Sequence, residues 1–377
     1  MKQLHVALLG LGFGLAFLPI YLDHPDVTEV SVYDPDPALL RSVKETYPRV
    51  KIRGSFEEIL ADGSIDAVHL VTPIPLHAEQ TVAVLKSGKH CACTVPMATS
   101  LEDLRRICDA VRESGKTYMM METTLYTYQF LYVKSLLDSG KLGRIQFLRG
   151  SHYQDMRNWP DYWMGLPPMW YGTHAIAPMR VLAGSRIEKV SCLGSGTMDR
   201  SLHTQYGNPF PMESAHFWFA NGLKGESTRS LFETARAYQE GLFVYGSDMG
   251  FEWGFRDEDE PYVTTLEPFP DRRRGANTIV EQRMMPNPCE MLPEPIRKYT
   301  VSPASFDPQN PQKSLKENRG GGHHGSHPYL VHEFVSSILE QRRPAIDEHL
   351  GANITGAGIC AHVSAMRDGE PILIPEF

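Results

Sequence analysis

The sequence predicts an α/β protein in which an N-terminal, doubly wound parallel sheet precedes a C-terminal α+β domain with an open, largely antiparallel sheet. Two observations predict the first domain: a glycine-rich turn directly after the apolar residues 6–9, and strand and helix patterns that alternate until about residue 121. The second domain is indicated by the long strand-like segments that dominate after about residue 125. We therefore expect domains at 1–124 and 125–377.

The first turn carries glycines at alternate positions. Gly10 allows a tight turn after the first strand, Gly12 allows a pyrophosphate to approach the backbone, and Phe13 and Gly14 begin a helix predicted over 13–22. The amides at the start of that helix would point at the phosphates. This arrangement is typical of a dinucleotide-binding site.

Asp34 follows the second predicted strand, at 29–33. A carboxylate at this place accepts hydrogen bonds from the adenosine ribose hydroxyls and repels a 2′-phosphate. The sequence therefore predicts NAD rather than NADP as the cofactor.

Two further strands, predicted at 67–71 and 89–93, end in proline-containing turns. Ligands of doubly wound sheets bind outside the carboxyl ends of the strands. The remaining cofactor-binding candidates are accordingly Thr72, Pro73, His77, Thr94, Pro96 and Glu122.

Composition excludes several classes of partner. The chain has 377 residues and a net charge of −8, which gives no reason to expect a nucleic acid or an anionic membrane. Residues 4–22 are apolar, but His5, the glycines and Pro19 argue against a signal peptide or membrane anchor, so we expect a cytoplasmic protein. The six cysteines lack metal-finger spacing and are predicted to be reduced and mostly buried.

The second domain begins with a predicted helix at 127–139 and a strand at 144–151. Further strands are expected at 187–193, 212–219, 222–232 and 241–245, and helices at about 327–342 and 347–367. Residues 257–325, rich in proline, glycine and charge, are predicted to form a long excursion over the surface.

The chain resembles the Gfo/Idh/MocA family of glucose-fructose oxidoreductases and inositol dehydrogenases over nearly its whole length. The resemblance rests on residues 10–14, on the turn from Thr72 to His77, on residues 86–98, on residues 138–143 and on His174. It implies an N-terminal Rossmann domain that binds NAD(P), a C-terminal domain with an open sheet, and sugars or cyclitols as substrates. It also implies homodimers or homotetramers that form through that sheet.

The chain departs from the family where a lysine commonly orients and deprotonates the substrate hydroxyl. It has Val95 in place of the lysine of a Glu-Lys-Pro motif, Ile74 in place of an asparagine, and Trp170 where an aspartate often precedes the histidine. The glycine turn for the cofactor is retained, while the residues expected around the reacting hydroxyl differ from those of the family.

His174 is the first candidate for proton transfer, because an imidazole accepts a hydroxyl proton near neutral pH. A buried structural histidine is the alternative. A second polar cluster continues the strand at 144–151, where alternation would place His152 and Gln154 on one face and Tyr153 and Asp155 on the other. The catalytic candidates are His174, His152, Tyr153 and Asp155.

Aromatic and histidine side chains supply the substrate-binding candidates. Trp170 and Tyr171 could stack on a sugar ring, although core packing is the commoner use of such residues. His323, His324 and His327 follow a run of glycines and are predicted to form a substrate loop, as in NAD-dependent glycosidases of the family that carry a similar stretch. The run could also hold a metal ion, but no carboxylate or cysteine is grouped with it, so no metal is expected.

Three functions remain open at this point. The chain could be an NAD-dependent dehydrogenase of a sugar, glycoside or cyclitol with His174 as general acid/base. It could instead retain its cofactor and use transient oxidation of a ring hydroxyl for glycoside cleavage, elimination or epimerisation. A regulator that binds the nucleotide without catalysis is the third hypothesis.

Overall fold

The computed structural model describes residues 3–202, 206–256, 259–271, 274–301 and 322–377. The chain forms two compact units. The first contains Met1–Thr127, Asn287–Ala352 and Phe377, and the second contains Tyr128–Pro286 and Asn353–Glu376. The sequence placed residues 287–352 in the second domain, whereas they pack with the first. One reason is that the amide of Met120 donates to the carbonyl of Ile346 at 3.0 Å, beside the last strand of the first sheet.

Six described strands of the first unit form a parallel sheet in the order β3-β2-β1-β4-β5-β6. The chain starts at the centre and fills one side before the other, so its strand order reverses between β1 and β4, where doubly wound sheets bind ligands. The strands are β1 Leu4–Leu9, β2 Val27–Tyr33, β3 Lys51–Ile52, β4 Ala67–Leu70, β5 His90–Cys93 and β6 Tyr118–Met120.

Nine described strands of the second unit form a mixed sheet in the order β14-β13-β12-β11-β7-β10-β9-β8-β15. Only β7 and β10 pair in parallel, and the other neighbours are antiparallel. The strands are β7 Ile145–Tyr153, β8 Ile187–Ser195, β9 Met212–Phe219, β10 Lys224–Ser230, β11 Gln239–Gly246, β12 Met249–Glu252, β13 Tyr262–Pro268, β14 Ala276–Gln282 and β15 Ile372–Leu373.

The α-helices follow the sequence prediction closely in the second half of the chain. They are α1 Leu18–Asp23, α2 Pro37–Thr46, α3 Phe56–Ala61, α4 His77–Lys86, α5 Leu101–Ser114, α6 Tyr128–Asp138, α7 Thr173–Leu182, α8 His327–Leu339 and α9 Glu348–Ala365. Within the described ranges, no helix has the length and apolar character that a membrane crossing requires.

Two predicted features differ in the structure. The helix expected over 13–22 is a 3₁₀ turn, Gly14–Ala16, followed by α1, since Pro19 has no amide hydrogen to continue an α-helical ladder. Residues 257–325 are not a plain surface excursion, because β13 and β14 pair as a hairpin that extends the second sheet. Both strands are largely exposed, so they lack the regular alternation of apolar and polar residues that predicts a half-buried strand. Residues 302–321 of that segment lie outside the described residues.

Candidate functional site

The dinucleotide turn of the first unit depends on Gly10. Its φ is +82°, and a Cβ at this position would overlap the carbonyl oxygen of Val71, so only glycine lets the end of β1 pass the end of β4 so closely. Around Gly12, in contrast, a Cβ would meet nothing within 4 Å. The space beside Gly12 is therefore open to a ligand.

The polar groups of this turn fit a dinucleotide. The amides of Gly12, Phe13 and Gly14 have no acceptor among the described residues. Asp34 is fixed at the end of β2, where one carboxylate oxygen accepts from the amide of Leu11 at 2.7 Å and the other from that of Asp36 at 2.9 Å. Each oxygen keeps a lone pair for a ribose hydroxyl, and the three amides match a diphosphate.

His77 joins two of the strand-end turns that were predicted to hold the cofactor. Its Nδ1 lies 2.8 Å from the carbonyl oxygen of Pro96, and its Nε2 lies 2.8 Å from that of Thr72. Burial lowers the pKa of His77, although both carbonyls act to raise it. A neutral imidazole can donate to only one of them. His77 thus supports the turns at Thr72 and Pro96.

The other strand-end candidates are also held by short-range contacts. The hydroxyl of Thr94 donates to the carbonyl of Leu70 at 3.3 Å. Glu122 is fully buried and accepts from the amide and hydroxyl of Thr124 at 3.1 and 2.9 Å. Val95, at the position of the family's lysine, is 7% exposed and brings no ionisable group to this turn.

The second unit brings two predicted catalytic residues together. The rings of His152 on β7 and His174 on α7 have centroids 4.9 Å apart, and Tyr171 is 5.3 Å from His174. Gly150 makes this possible, because a Cβ there would overlap the carbonyl oxygen of Ala175. Helix α7 can therefore lie directly on β7. Both imidazoles are buried.

Three residues of this cluster were missed by the sequence analysis. In register, His152 pairs with Arg229 on β10 and with Glu240 on β11, so the three positions form a row across neighbouring strands. The Tyr238 ring lies 5.4 Å from that of His152, and its hydroxyl donates to Glu240 at 2.5 Å. No local sequence pattern predicts such a row, because it depends on which strands are neighbours in the sheet.

Arg229 is a fully buried cation within the second unit. Its guanidinium donates to the carbonyl oxygens of Tyr171 and His152 at 2.9 and 3.2 Å, and to the side chain of Gln154 at 3.1 Å. Burial lowers its pKa to about 10. The fixed donors of one guanidinium therefore tie the Tyr171 turn to the end of β7.

Two other catalytic candidates contact arginines instead. The guanidinium of Arg236 lies 5.2 Å from the ring of Tyr153. Asp155 binds Arg157, whose Nε lies 2.8 Å from a carboxylate oxygen. Burial would raise the pKa of Asp155, but the hydrogen bonds from Arg157 outweigh it and leave the pKa lowered. Tyr153 and Asp155 remain candidates for proton transfer.

Trp170 and Tyr171 lie on a 3₁₀ turn, Pro168–Tyr171, that begins next to a buried carboxylate. One oxygen of Glu213 accepts from the amide of Met169 at 2.7 Å, and the other lies 2.6 Å from Nδ1 of His362. The ring of His362 in turn contacts Trp170, at 5.9 Å between centroids. This network fixes the turn that leads to His174.

The predicted histidine loop lies against the dinucleotide turn of the first unit. The His327 ring is 4.5 Å from that of Phe17 and 5.5 Å from that of Phe13, and His323 is 6.1 Å from Phe13. His324 follows His323 in the same left-handed backbone conformation. Gly320 and Gly321 of this run lie outside the described residues. Across the described ranges, no three histidine, cysteine or carboxylate side chains group as a metal site.

Comparison with known proteins identifies the family. The family model for "Oxidoreductase family, NAD-binding Rossmann fold" matches residues 4–122, and the model for the GFO/IDH/MocA C-terminal domain matches residues 130–252. The chain belongs to the Gfo/Idh/MocA oxidoreductase family. NAD is the cofactor class of this family's N-terminal domain.

Curated relatives match only part of the chain. It is 28% identical over 254 residues to a 1-carboxy-3-chloro-3,4-dihydroxycyclohexa-1,5-diene dehydrogenase of Comamonas testosteroni, which covers 64% of this chain and 60% of that protein. It is 25% identical over 221 residues to a glycosyl hydrolase family 109 protein of Shewanella baltica, which covers 53% of this chain and 48% of that protein. The chain thus spans about half to three fifths of these relatives.

Solved structures share the fold over the whole chain. A levoglucosan dehydrogenase in complex with NADH and levoglucosan has a TM-score of 0.75 at 20% identity and covers 100% of both chains. A myo-inositol 2-dehydrogenase from Lactobacillus plantarum has a TM-score of 0.74 at 17% identity and covers 99% of this chain and 100% of that one. At these identities the similarity establishes the architecture alone.

Proposed function

We propose that this family member is an NAD-dependent oxidoreductase that acts on a hydroxyl of a sugar, glycoside or cyclitol, with His174 as general acid/base. The observation that carries the proposal is the pair of buried imidazoles, His152 and His174, 4.9 Å apart beside Tyr171. The similarity to sugar and cyclitol dehydrogenases in fold supports the substrate class.

The residues of the second unit can move a proton. Bound NAD supplies the hydride acceptor. His174 accepts the hydroxyl proton, since a neutral imidazole is a competent base near neutral pH. His152 lies next to it, and behind His152 the Tyr238 hydroxyl is bound to the Glu240 carboxylate.

Substrate binding is assigned to the aromatic turn before α7. Tyr171 is half-buried and adjoins His174, and Trp170 lies beside it on the same turn. An aromatic face can pack against the apolar face of a sugar ring. Because Arg229 and Glu213 hold this turn through backbone groups, its rings are placed before a substrate arrives.

The test is turnover with a panel of sugars, glycosides and cyclitols, followed as NADH release at neutral pH. His174→Asn should lower turnover by about two to four powers of ten, as expected for loss of a general base. NADH affinity, measured by fluorescence, should change little. His216→Asn, at an exposed position on β9, is the matched control. Near-normal turnover of His174→Asn would place the base at His152, Tyr153 or Asp155.

A second candidate function is catalysis with a retained cofactor. Two observations favour it: Val95 stands where the family's lysine would be, and relatives at 25% identity are named glycosyl hydrolase family 109 proteins. In this reaction a ring carbon is oxidised and later reduced within one turnover, so no NADH accumulates. A glycoside deuterated at that carbon should then return its label to the product. Transfer of all the label to free NADH would exclude this candidate.

We further propose that the chain forms homodimers or homotetramers through the second sheet. Leu266 and Val280, on the paired strands β13 and β14, are adjacent apolar side chains that are 61% and 57% exposed. Exposed apolar area of this kind is typical of subunit contacts.

A further inference from the structure

We infer that His323 is a cofactor-binding residue whose imidazolium pairs with the diphosphate of NAD. This rests on the proposed function only in taking NAD as the cofactor. The sequence had assigned His323 to the substrate, but its position in the first unit points to the dinucleotide turn.

The first step is the location of the ring. Phe13 lies between Gly12 and Gly14, whose amides are open to a phosphate, and its own ring is 45% exposed. His323 lies 6.1 Å from the Phe13 ring and 5.8 Å from that of His327. His327 is 1% exposed and packs under both rings, whereas His323 is partly exposed. His323 is therefore the accessible imidazole, and His327 is its support.

The backbone holds the ring in this place. His323 and His324 have φ values of +44° and +50°, in the region that side chains other than glycine rarely adopt. Helix α8 starts just beyond them, and the positive end of its dipole adds to the attraction for an anion. The hydroxyl of Ser326, immediately before α8, is buried and has no hydrogen-bond partner among the described residues. The start of α8 thus offers the Ser326 hydroxyl next to the turn.

The chemistry favours a histidine at a diphosphate. A nearby anion favours the charged form of an imidazole, and a charge-assisted hydrogen bond to a phosphate oxygen is stronger than a neutral one. Other cations near the turn are already engaged: Lys298 binds Asp23 at 2.7 Å, and Arg297 donates to the Leu292 carbonyl at 2.8 Å. The ionisable side chains on the 3₁₀ turns packed against the histidine turn are Glu122, Tyr126, Glu294, Arg297, Lys298 and Tyr299. Helix α8, which also packs against it, adds His327, Tyr329, His332 and Glu333.

The test uses the full chain and three probes: NAD, ADP-ribose and adenosine, titrated by calorimetry at pH 6 and pH 8. The wild type should bind NAD and ADP-ribose about tenfold more tightly at pH 6 than at pH 8. The reason is that an imidazole gains a proton between these pH values, while the charge of the diphosphate stays the same. His323→Gln should bind both about tenfold more weakly at pH 6 and lose the pH dependence. His323→Lys should keep the pH 6 affinity at both pH values. Adenosine, which lacks phosphate, should bind equally to all three proteins.

His216→Gln, at an exposed position on β9, is the control and should keep the wild-type profile, and unchanged thermal unfolding of each variant excludes misfolding. A flat wild-type profile, or a His323→Gln profile like the wild type, would overturn the assignment. A loss of adenosine affinity in His323→Gln equal to its loss of NAD affinity would also overturn the assignment. Because turnover is not measured, a chain that behaves as expected here but oxidises no sugar would overturn only the proposed function.

Discussion

Asp34 shapes the glycine turn, and we propose that it also selects the cofactor. Its carboxylate accepts from the amide of Leu11, which orders the glycine turn, and from the amide of Asp36 at the start of α2. The same negative charge lies where an adenosine 2′-phosphate would approach. We therefore expect the stability of the turn and the preference for NAD over NADP to be coupled at this residue.

We expect Asp34→Ser combined with Pro35→Arg to narrow or invert the preference for NAD over NADP. The substitution removes the repulsive charge and supplies a cation for the phosphate. Measured dissociation constants for the two nucleotides provide the test, with Asp34→Ser alone as the control for loss of the carboxylate. Equal affinities for NAD and NADP in the unmodified chain would contradict the assignment of Asp34.

Arg229 illustrates a residue whose role depends on burial. An unpaired buried cation is costly, so its donors must all find acceptors. Its acceptors are the backbone carbonyls of Tyr171, His152 and Ser230 and the side chain of Gln154, and these hydrogen bonds offset the cost of burial. A lysine could not bridge the same groups, since it lacks the planar set of donors.

At the scale of elements, α1 and α8 are joined by the buried His24 and the half-buried His332 of the first unit. Nε2 of His24, just after α1, lies 3.1 Å from Nδ1 of His332 on α8, and Nδ1 of His24 accepts from the Asp26 amide. His24 therefore donates through Nε2, and both rings fit this bond only when neutral. Burial and the neighbouring His332 lower the pKa of His24 to about 4.

This pair predicts acid sensitivity of the first unit. In the unfolded chain His24 takes up a proton near pH 6.5, while the folded state resists protonation until about pH 4, so stability is full above pH 6.5 and falls as the pH drops between these values. His24→Gln should reduce the loss of unfolding free energy between pH 7 and pH 5 by about 2 kcal/mol. Urea unfolding at pH 7 and pH 5 measures this difference in unfolding free energy. His349 is exposed in the same unit, so His349→Gln is the control. Between pH 7 and pH 5 this variant should lose as much unfolding free energy as the wild type.

At the scale of the whole molecule, the nucleotide-binding unit is not a continuous stretch of chain. Residues 287–352 complete it: Leu330 and Phe334 are fully buried, and the hydroxyl of Tyr299 donates to Asp23 at 2.7 Å. Each large apolar side chain left uncovered would cost about 1.5–3 kcal/mol. The first 127 residues therefore lack part of their own core.

We expect a fragment of residues 1–127 to show no cooperative thermal transition and little NADH binding. The same fragment joined by a flexible linker to residues 287–352 should recover both, because it restores the apolar surface that covers α1 and the edge of β6. Differential scanning calorimetry and NADH fluorescence provide the measurements. A cooperative, nucleotide-binding fragment 1–127 would show that the returning segment is dispensable.

The sequence by itself determined the features that depend on neighbouring residues. The turn at Gly10 and Gly12, the acidic Asp34 after β2 and the turns that end β4 and β5 are each encoded within a few positions, since φ, strand ends and periodicity are local properties. The family, the cofactor and both sheet types followed from them. His174 was singled out by the resemblance to the family.

Only the tertiary structure decided which distant residues meet. Arg229 and Glu240 join His152 because β10 and β11 both border β7, and no local pattern encodes that order. His323 lies by Phe13 although more than three hundred positions separate them in the printed sequence, because α8 returns to the first unit. The physical reason is common to both: burial of apolar faces selects the packing, and the packing brings together polar groups whose chain neighbours carry no sign of it.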